Sequence, residues 1–342
     1  MQTMAKSDVH HSFSADAFDF IIIDEVHRAG APSYQTIMNY FRPAFWLGMT
    51  ASPERTDDFN IFSLFDHNIA YEIRLQTALG QNLLCPFHYF GITDLAVDQK
   101  HLSDLSNFQF LTSDERVKHI LERAEYFGYS GSRVKGLIFC SSLDECEDLS
   151  KKFNAKGYQT LALSGDNTQD DREKAIERLT QERRDSSALD YILTVDIFNE
   201  GVDIPEINQV LLLRPTQSPI IFLQQLGRGL RKADGKDYVI VLDFIANYKE
   251  NYLIPVALSG DRSYDKDTLR RFVTVEHRLI PGSSTIEFDS ITKEKIFEAI
   301  DRAQIQSKKL LREAYTALKF KLGHRPTLQE FEDNNSIDVI KY

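Results

Sequence analysis

The sequence predicts an α/β protein with mainly parallel sheets, and two observations support this fold class. Short apolar runs rich in Ile, Val and Leu recur without polar alternation, which is typical of strands buried on both faces. Helix-length amphipathic segments separate these runs, and such strand–helix–strand repetition gives parallel sheets. The predicted strands are Phe20–Ile23, Phe45–Gly48, Gly136–Cys140, Tyr191–Val195, Gln209–Leu213 and Tyr238–Leu242.

Two segments illustrate how these strands are connected. Asp170–Gln181 is predicted to be a helix, because its apolar residues fall on one face and Thr168 with Asp171 forms a capping box at its start. Leu75–Ser113 has few turn signals and mixed character. We therefore interpret Leu75–Ser113 as a connector between two α/β lobes.

The C-terminal part has a different pattern. The strand pattern stops after about Pro255, and Thr292–Leu322 is predicted to be one helix from apolar residues at spacings of three and four. Gly323 is expected to end that helix, and Thr327 with Glu330 forms a second capping box. The chain is therefore expected to close with a helical extension.

Composition excludes several classes of protein. With 342 residues, 42% hydrophobic and 11% aromatic, the chain can bury enough surface to fold, which excludes disorder. A net charge of −11 excludes a uniformly basic nucleic-acid binder, so any nucleic-acid surface must be local. No apolar run reaches the ~18 residues that cross a bilayer, and no signal peptide is visible.

The cysteines indicate the compartment. Cys85, Cys140 and Cys146 are too few for a disulfide framework, and no CxxC pair suggests zinc. We therefore expect a protein of a reducing compartment, the cytoplasm, with no membrane partner.

The first motif that carries chemistry is Asp24-Glu25-Val26-His27, directly after an apolar run. Two carboxylates at the end of a strand lie at the sheet edge where α/β folds bind ligands. In this position Asp24 could hold Mg²⁺ through water, while Glu25 could orient and deprotonate a water that attacks a γ-phosphate. The alternative is a strand that ends in a solvated acidic turn.

The second motif, Gly48–Pro53, follows another apolar run and contains Thr50 and Ser52. Hydroxyls at a strand end can link a catalytic carboxylate to a moving neighbour through hydrogen bonds. Taken alone, the motif is more typical of a Ser/Thr-Pro turn.

The third motif is Gln224–Arg231, which contains Arg228 and Arg231. Arginines three apart share a helix face, and their guanidinium groups suit a γ-phosphate in the transition state, as arginine fingers do. The alternative is a solvated basic helix end. Two glycines within the predicted helix, Gly227 and Gly229, lower its propensity and favour close approach to another group.

In this order the motifs resemble those of the superfamily-two helicases, the DEAD/DEAH class. Asp24–His27 resembles motif two and Thr50–Ser52 motif three. Gly136–Cys140, Val195–Pro205 and Gln224–Arg231 resemble motifs four, five and six. The resemblance covers about Phe20 to Asp243. Within the class it is strongest to the restriction-enzyme-type and excision-repair-type branch, including multidomain bacterial helicases with an appended nuclease-like domain.

The resemblance implies RecA-like lobes, ATP and Mg²⁺ as cofactors, and a role for each motif residue. Asp24 and Glu25 would serve the metal and the attacking water, and His27 would couple the nucleotide site to Thr50, Ser52 and Gln224. Gly201 and Asp203 would line the cleft between the lobes, and Arg228 and Arg231 would be the fingers. One departure concerns Val195, which stands where DEAD-box members have Thr, so a phosphate role for Thr194 is not supported.

A second departure is that no Gly-x-x-x-x-Gly-Lys-Ser/Thr phosphate loop occurs in the sequence. Relatives carry this loop well upstream of motif two, whereas 23 residues precede Asp24. We therefore expect the chain to begin inside the first lobe, and to be inactive by itself as an ATPase.

These inferences predict four domains: a partial first RecA-like lobe at 1–77, a connector at 78–106, a complete second lobe at 107–257, and a helical extension at 258–342. The chain is predicted to be part of an ATP-dependent helicase or translocase that acts on nucleic acid, with DNA favoured over RNA. Other predicted partners are the missing part of the first lobe and an appended nuclease domain. The alternative is a non-catalytic nucleic-acid-binding or partner-docking fragment.

The helical extension also contains a basic segment. Between Arg302 and Arg325 seven basic residues stand against one acidic residue, Glu313. Lys308, Lys309 and Arg312 are therefore candidate contacts to nucleic-acid phosphates. An ordinary solvated helix face, or one paired with the acidic lobes, explains the pattern equally well.

Overall fold

A computed structural model describes residues 3–50, 59–95, 111–183, 185–195, 204–215, 218–246, 248–261, 263–275, 281, 283–303, 308–334 and 336–337. The chain divides into two compact units. The first unit comprises Met1–Glu72 with Gln304–Tyr342, and the second comprises Ile73–Ala303. Within the described residues, no helix combines the length and the apolar character that a bilayer crossing needs.

The first unit contains a pair of parallel strands, β1 (Phe20–Ile23) and β2 (Phe45–Gly48), with Phe20 opposite Phe45 and Ile23 opposite Gly48. Ile23, Val26, Ala29 and Ile61 form a buried core beneath this pair. The helices of this unit are Ser7–His10, Pro32–Tyr40, Lys308–Leu322 and Leu328–Asp333, with short 3-10 helices at Val26–Arg28 and Ile61–Phe65.

The second unit is built on a seven-stranded sheet in which every pair of neighbours is parallel. Its strands are β3 (Phe87–Thr93), β4 (Gly136–Phe139), β5 (Thr160–Ala162), β6 (Tyr191–Thr194), β7 (Gln209–Leu212), β8 (Val239–Ile245) and β9 (Thr285–Phe288). Their order across the sheet is β5-β6-β4-β7-β8-β3-β9. The helices of this unit are Leu75–Gly80, Asp114–Phe127, Leu143–Ala155, Gln169–Thr180, Pro219–Gly227, Leu253–Ser259, Lys266–Val275 and Ser290–Arg302, with a 3-10 helix at Lys249–Tyr252.

The predicted fold class is confirmed, and all six predicted strands are present. β4, β6, β7 and β8 are buried at every position, as expected for unbroken apolar runs between helical layers. The helix predicted at Asp170–Gln181 is present and spans Gln169–Thr180. Its capping box joins Thr168 and Asp171, as expected.

The prediction that the strands stop after about Pro255 is wrong, because β9 lies at Thr285–Phe288 and pairs with β3. β3 itself lies inside the segment that the sequence suggested was a connector. Its aromatic and polar residues obscured the strand signal: Tyr89 bonds to Asp243, and His88 Nδ1 lies 2.8 Å from Thr285 Oγ1. The domain boundaries at 77, 106 and 257 stay predictions, although both strands belong to the sheet of the second unit.

The single helix predicted over Thr292–Leu322 is also wrong. A first helix ends at Arg302, where Ala303 turns to an extended conformation, and a second runs over Lys308–Leu322. No glycine or proline marks this break in the sequence. Gly323 ends the second helix with φ of +75°, as predicted, and a Cβ there would lie 2.7 Å from the ring of His67.

Candidate functional site

The two acids of the first motif follow β1 directly, at the carboxyl edge of the strand pair. Asp24 is exposed, and its Oδ1 accepts the main-chain N–H of Glu25 at 2.9 Å. Glu25 adopts the left-handed conformation, with φ of 51° and ψ of 44°. This conformation costs a residue with a Cβ about 1–2 kcal/mol. Strain of this kind concentrates at functional sites, which singles out the Glu25 position in the first unit.

His27 links this acidic turn to the loop after β2. Its ring is buried, at 7% exposed, and Nδ1 lies 2.9 Å from Thr50 Oγ1. The same nitrogen lies 3.2 Å from Glu25 Oε2. Among the described residues Glu25 Oε2 has no hydrogen-bond partner, so the His27 ring approaches it without a hydrogen bond. The imidazole therefore touches both a candidate catalytic acid and the hydroxyl of the second motif.

Main-chain hydrogen bonds fix the same two loops. Met49 donates its N–H to the Ile23 carbonyl at 2.9 Å, and Val26 donates to the Met49 carbonyl at 2.9 Å. Gly48 allows this approach, because a Cβ there would lie 2.5 Å from the Phe65 ring and 3.1 Å from Val26 Cγ1. The loops that follow β1 and β2 are thus held together by backbone and side chain alike.

The helix that carries the third motif ends at Gly227, so the prediction that Arg228 and Arg231 share a helix face is wrong. Arg228 lies in the turn that follows, where its N–H bonds to the Gln225 carbonyl and its Nε to the Gln224 carbonyl, both at 3.3 Å. Arg228 is half-buried and Arg231 is exposed.

The two glycines suggested that another group approaches this segment closely. For Gly229, that group belongs to the protein itself. A Cβ at Gly229 would lie 2.8 Å from Val239 Cγ1, so this glycine packs the turn against β8. Gly227 ends the helix, and a Cβ there would meet nothing within 4 Å. Gly229 therefore sets the position of the arginine turn against the sheet.

Several predicted site residues lie outside the described residues. They are Ser52, Gly201 and Asp203, with the whole of Asp196–Asp203 from the fifth motif. Lys308 and Lys309 lie on the helix Lys308–Leu322, but their side chains are outside the described part. Arg312 on the same helix is exposed. Lys321 pairs with Glu72 at 2.9 Å, which agrees with a basic face that partly contacts acidic residues.

Sequence reasoning missed a buried ionic cluster at the carboxyl edge of the large sheet. Arg116 is fully buried and bonds to Asp94 after β3 and to Glu145 on the helix Leu143–Ala155, each at 2.9 Å. It also donates to the carbonyls of Leu111 and Leu213 at 2.7 and 3.2 Å. Burial raises the pKa of Glu145, against the opposing effect of Arg116. The only available sequence signals were isolated charges within otherwise apolar surroundings.

Two hydroxyls at the same edge lack partners. Within the described residues, the buried Ser141 Oγ and Thr194 Oγ1 accept and donate no hydrogen bond. Ser141 follows β4 and Thr194 ends β6, and these strands are neighbours in the sheet. Buried polar atoms are normally satisfied, so this edge has hydrogen-bonding capacity for a ligand.

Comparison with known families decides what these elements belong to. Residues 115–233 match the "helicase conserved C-terminal domain" family, and residues 1–55 match the "type III restriction enzyme, res subunit" family. These two matches support a superfamily-two helicase of restriction-enzyme type. The resemblance drawn from the motifs is thereby confirmed.

Individual relatives agree with these two matches. IRC3, a candidate ATP-dependent helicase of Saccharomyces cerevisiae, is 25% identical over 294 residues, which cover 81% of this chain and 42% of IRC3. The type I restriction enzyme EcoAI endonuclease subunit of Escherichia coli is 25% identical over 262 residues, 67% of this chain and 32% of the subunit.

A solved structure shows the same fold. The ATP-dependent type ISP restriction-modification enzyme LlaBIII, bound to DNA, matches with a TM-score of 0.58 and 16% identity, over 96% of this chain and 27% of LlaBIII. The chain thus spans less than half the length of these relatives. The roles of Asp24, Glu25, His27, Arg228 and Arg231 remain predictions from the family motifs.

Proposed function

We propose that the chain is part of an ATP-dependent nucleic-acid helicase or translocase and supplies its catalytic acids and arginine fingers. The observation that carries this proposal is the contact of His27 with both Glu25 and Thr50. A solvated acidic turn has no need of a buried imidazole between its carboxylate and the next strand's hydroxyl. A site that couples hydrolysis to movement needs such a link.

Glu25 is proposed as the base that orients and deprotonates the attacking water. Its strained backbone and its contact with His27 hold the carboxylate in one position, which general-base catalysis requires. Asp24 is exposed at the strand end and is free to approach a hydrated ion.

These acids fit Mg²⁺, which keeps several waters and takes one or two carboxylates plus phosphate oxygens. When bound, the ion would neutralise charge on the phosphates of ATP. Asp24 would hold it through water.

Arg228 and Arg231 are proposed to stabilise charge on the transferred phosphoryl group. Arg228 lies in a turn that Gly229 packs against β8, and Arg231 follows it. Between them, the Leu230 carbonyl accepts the main-chain N–H of Cys85 at 2.8 Å. A fixed turn orients a guanidinium group better than a fraying helix end does.

Nucleic acid is proposed to bind the second unit at the carboxyl edge of its sheet, near Ser141. Arg312 and the neighbouring lysines of the helix Lys308–Leu322 are a second candidate contact. DNA is favoured over RNA, since LlaBIII is described as bound to DNA and EcoAI is a restriction enzyme. A nuclease domain in the same assembly belongs to this proposal.

One observation favours the second candidate function, a binding or docking role without turnover. The 342 residues contain no phosphate loop, and the amides and lysine of that loop provide most of the attraction for a triphosphate. We propose that the rest of the first lobe supplies this loop. Residues 1–77 and 107–257 are proposed to belong to the first and second lobes. The protein is also proposed to be cytoplasmic. The free, buried Cys85, Cys140 and Cys146 support a reducing compartment.

The experiment compares phosphate release by the 342-residue chain with release by the same chain preceded by a phosphate-loop segment from a restriction-enzyme-type relative. We expect DNA-stimulated release only from the completed chain, and ATP binding by the chain alone no tighter than millimolar. If the completed chain folds, binds ATP and shows no turnover, the non-catalytic role is favoured instead.

A further inference from the structure

The side chain of Lys236 joins two segments of the second unit. Its Nζ donates to the carbonyls of Pro205, Ile207 and Gly229, the latter two at 3.1 Å. Pro205 ends the segment that resembles motif five, and Gly229 directly follows Arg228 in the segment that resembles motif six. The three hydrogens of an ammonium group match these three acceptors.

The backbone of Lys236 is held independently of these contacts. A tight turn joins Ala233 to Lys236 through a hydrogen bond of 3.3 Å, with Gly235 at φ of +75°. The next residue, Asp237, donates its N–H to Ser130 Oγ at 2.8 Å. The ammonium group therefore extends from a fixed base, so it restrains both segments at once.

The charge on Lys236 is balanced by carbonyl dipoles, with no carboxylate among its three acceptors. Burial lowers the pKa of Lys236 to about 8, and the Cys85 thiol and Glu206 partly oppose this shift. An apolar side chain here would leave the three carbonyls without this donor, so the hydrogen bonds of the ammonium group offset the cost of its burial.

We propose that Lys236 is a positioning residue that sets the separation between the motif-five and motif-six segments. The inference rests on the proposed function, in which both segments face the nucleotide. A shift of the arginine turn at Gly229 is transmitted through the ammonium group to Pro205, and from there to the motif-five segment. Lys236 touches no reacting atom, and it acts through the two main chains that it joins.

Hydrogen exchange of the 342-residue chain, followed by mass spectrometry at pH 7 without nucleotide, tests this role. Lys236→Met removes the donors while keeping the length of the side chain. We expect exchange to accelerate at least about tenfold in both 204–213 and 226–231, with β4 and β6 unchanged. Lys236→Arg, which keeps several donors, should restore most of the protection in both segments.

The matched control is Lys232→Met, in the same turn region. Among the described residues, Lys232 Nζ donates hydrogen bonds only to Asn82, at 2.6 and 2.9 Å. Removing these bonds should leave hydrogen exchange in both segments unchanged. Should Lys236→Met fail to fold, Lys236→Gln repeats the test. Unchanged exchange, a change in one segment alone, acceleration across the whole unit, or no rescue by Lys236→Arg would each overturn the proposal. Because no nucleotide is present, the result is independent of whether the completed chain hydrolyses ATP.

Discussion

The Nδ1 atom of His27 lies 2.9 Å from the Oγ1 atom of Thr50, across the two neighbouring strands of the first unit. The same nitrogen is 3.2 Å from Glu25 Oε2. One imidazole ring therefore contacts both the loop after β2 and the carboxylate after β1. We propose that this contact couples the two loops.

The first prediction concerns this link. In a chain with its first lobe completed, Thr50→Val removes the hydroxyl that contacts His27. DNA-stimulated turnover should fall about tenfold, because the loss of one hydrogen bond costs about 1.4 kcal/mol. ATP affinity should stay unchanged. Phosphate release and nucleotide titration are the measurements. Thr36→Val is the control, since Thr36 is exposed and, among the described residues, its hydroxyl bonds only to the Pro32 carbonyl within its own helix. Equal effects of the two variants would show that the His27 contact is structural.

The second prediction concerns the arginine turn. Arg228→Ala or Arg231→Ala should lower turnover of the completed chain by about 10³-fold, as loss of an arginine finger does. Nucleic-acid affinity without nucleotide should change little. Arg123→Ala, at an exposed helix position, is the control. Near-normal ATPase rates in both finger variants would exclude the motif-six roles.

The third prediction concerns the basic helix. Reversing Lys308, Lys309 and Arg312 to Glu should weaken DNA binding and flatten its salt dependence by about one unit of slope per lost phosphate contact. Fluorescence anisotropy at several salt concentrations measures both effects. The control reverses three exposed basic residues of the second unit, Arg123, Lys151 and Lys156. An unchanged salt slope, with the fold intact by circular dichroism, would identify an ordinary solvated helix face.

The fourth prediction concerns stability against pH. Burial raises the pKa of Asp243 to about 7, although a hydrogen bond of 2.5 Å from Tyr89 opposes this. Since the folded pKa exceeds the unfolded value, the native state binds more protons between about pH 4 and 7, and the stability from this group is lost as pH rises through 7. Asp243→Asn should therefore be more stable than the parent chain at pH 8, with a smaller difference at pH 5.

Urea denaturation at the two pH values measures this difference. The control is Asp166→Asn, because Asp166 is exposed and its substitution should shift both midpoints equally. If Asp243→Asn shows the same pH dependence as the parent chain, Asp243 does not titrate in this range. In Asp243→Asn the amide oxygen can still accept the Tyr89 hydroxyl. Loss of that hydrogen bond therefore does not account for a difference in stability.

The sequence predicted the strands wherever burial alone determined the residues. β4 and β6 are buried at every position and consist mainly of apolar residues, so their pattern is clear. β3 is equally central, yet His88 and Tyr89 have polar partners on β9 and β8, which no local pattern reveals. β9 has four residues at the sheet edge, which is too short for a clear alternation.

The acidic residues of the candidate site were predictable from the sequence, and the geometry of the site was less so. Asp24, Glu25 and His27 stand out because carboxylates follow an apolar run. The left-handed backbone of Glu25 and the helix end before Arg228 depend on packing that the sequence does not encode locally. The Arg116 cluster joins residues that are 22 and 29 positions apart, a spacing with no periodic signature.

The measurement that tests the central claim most directly is phosphate release by the completed chain with Glu25→Gln. The amide keeps the size of the side chain and removes the base, so DNA-stimulated turnover should fall at least about 10²-fold while ATP binding persists. Asp19→Asn, an exposed carboxylate just before β1, should have little effect. Turnover that survives in Glu25→Gln at the level of Asp19→Asn would contradict the assignment of the acidic turn as the catalytic centre.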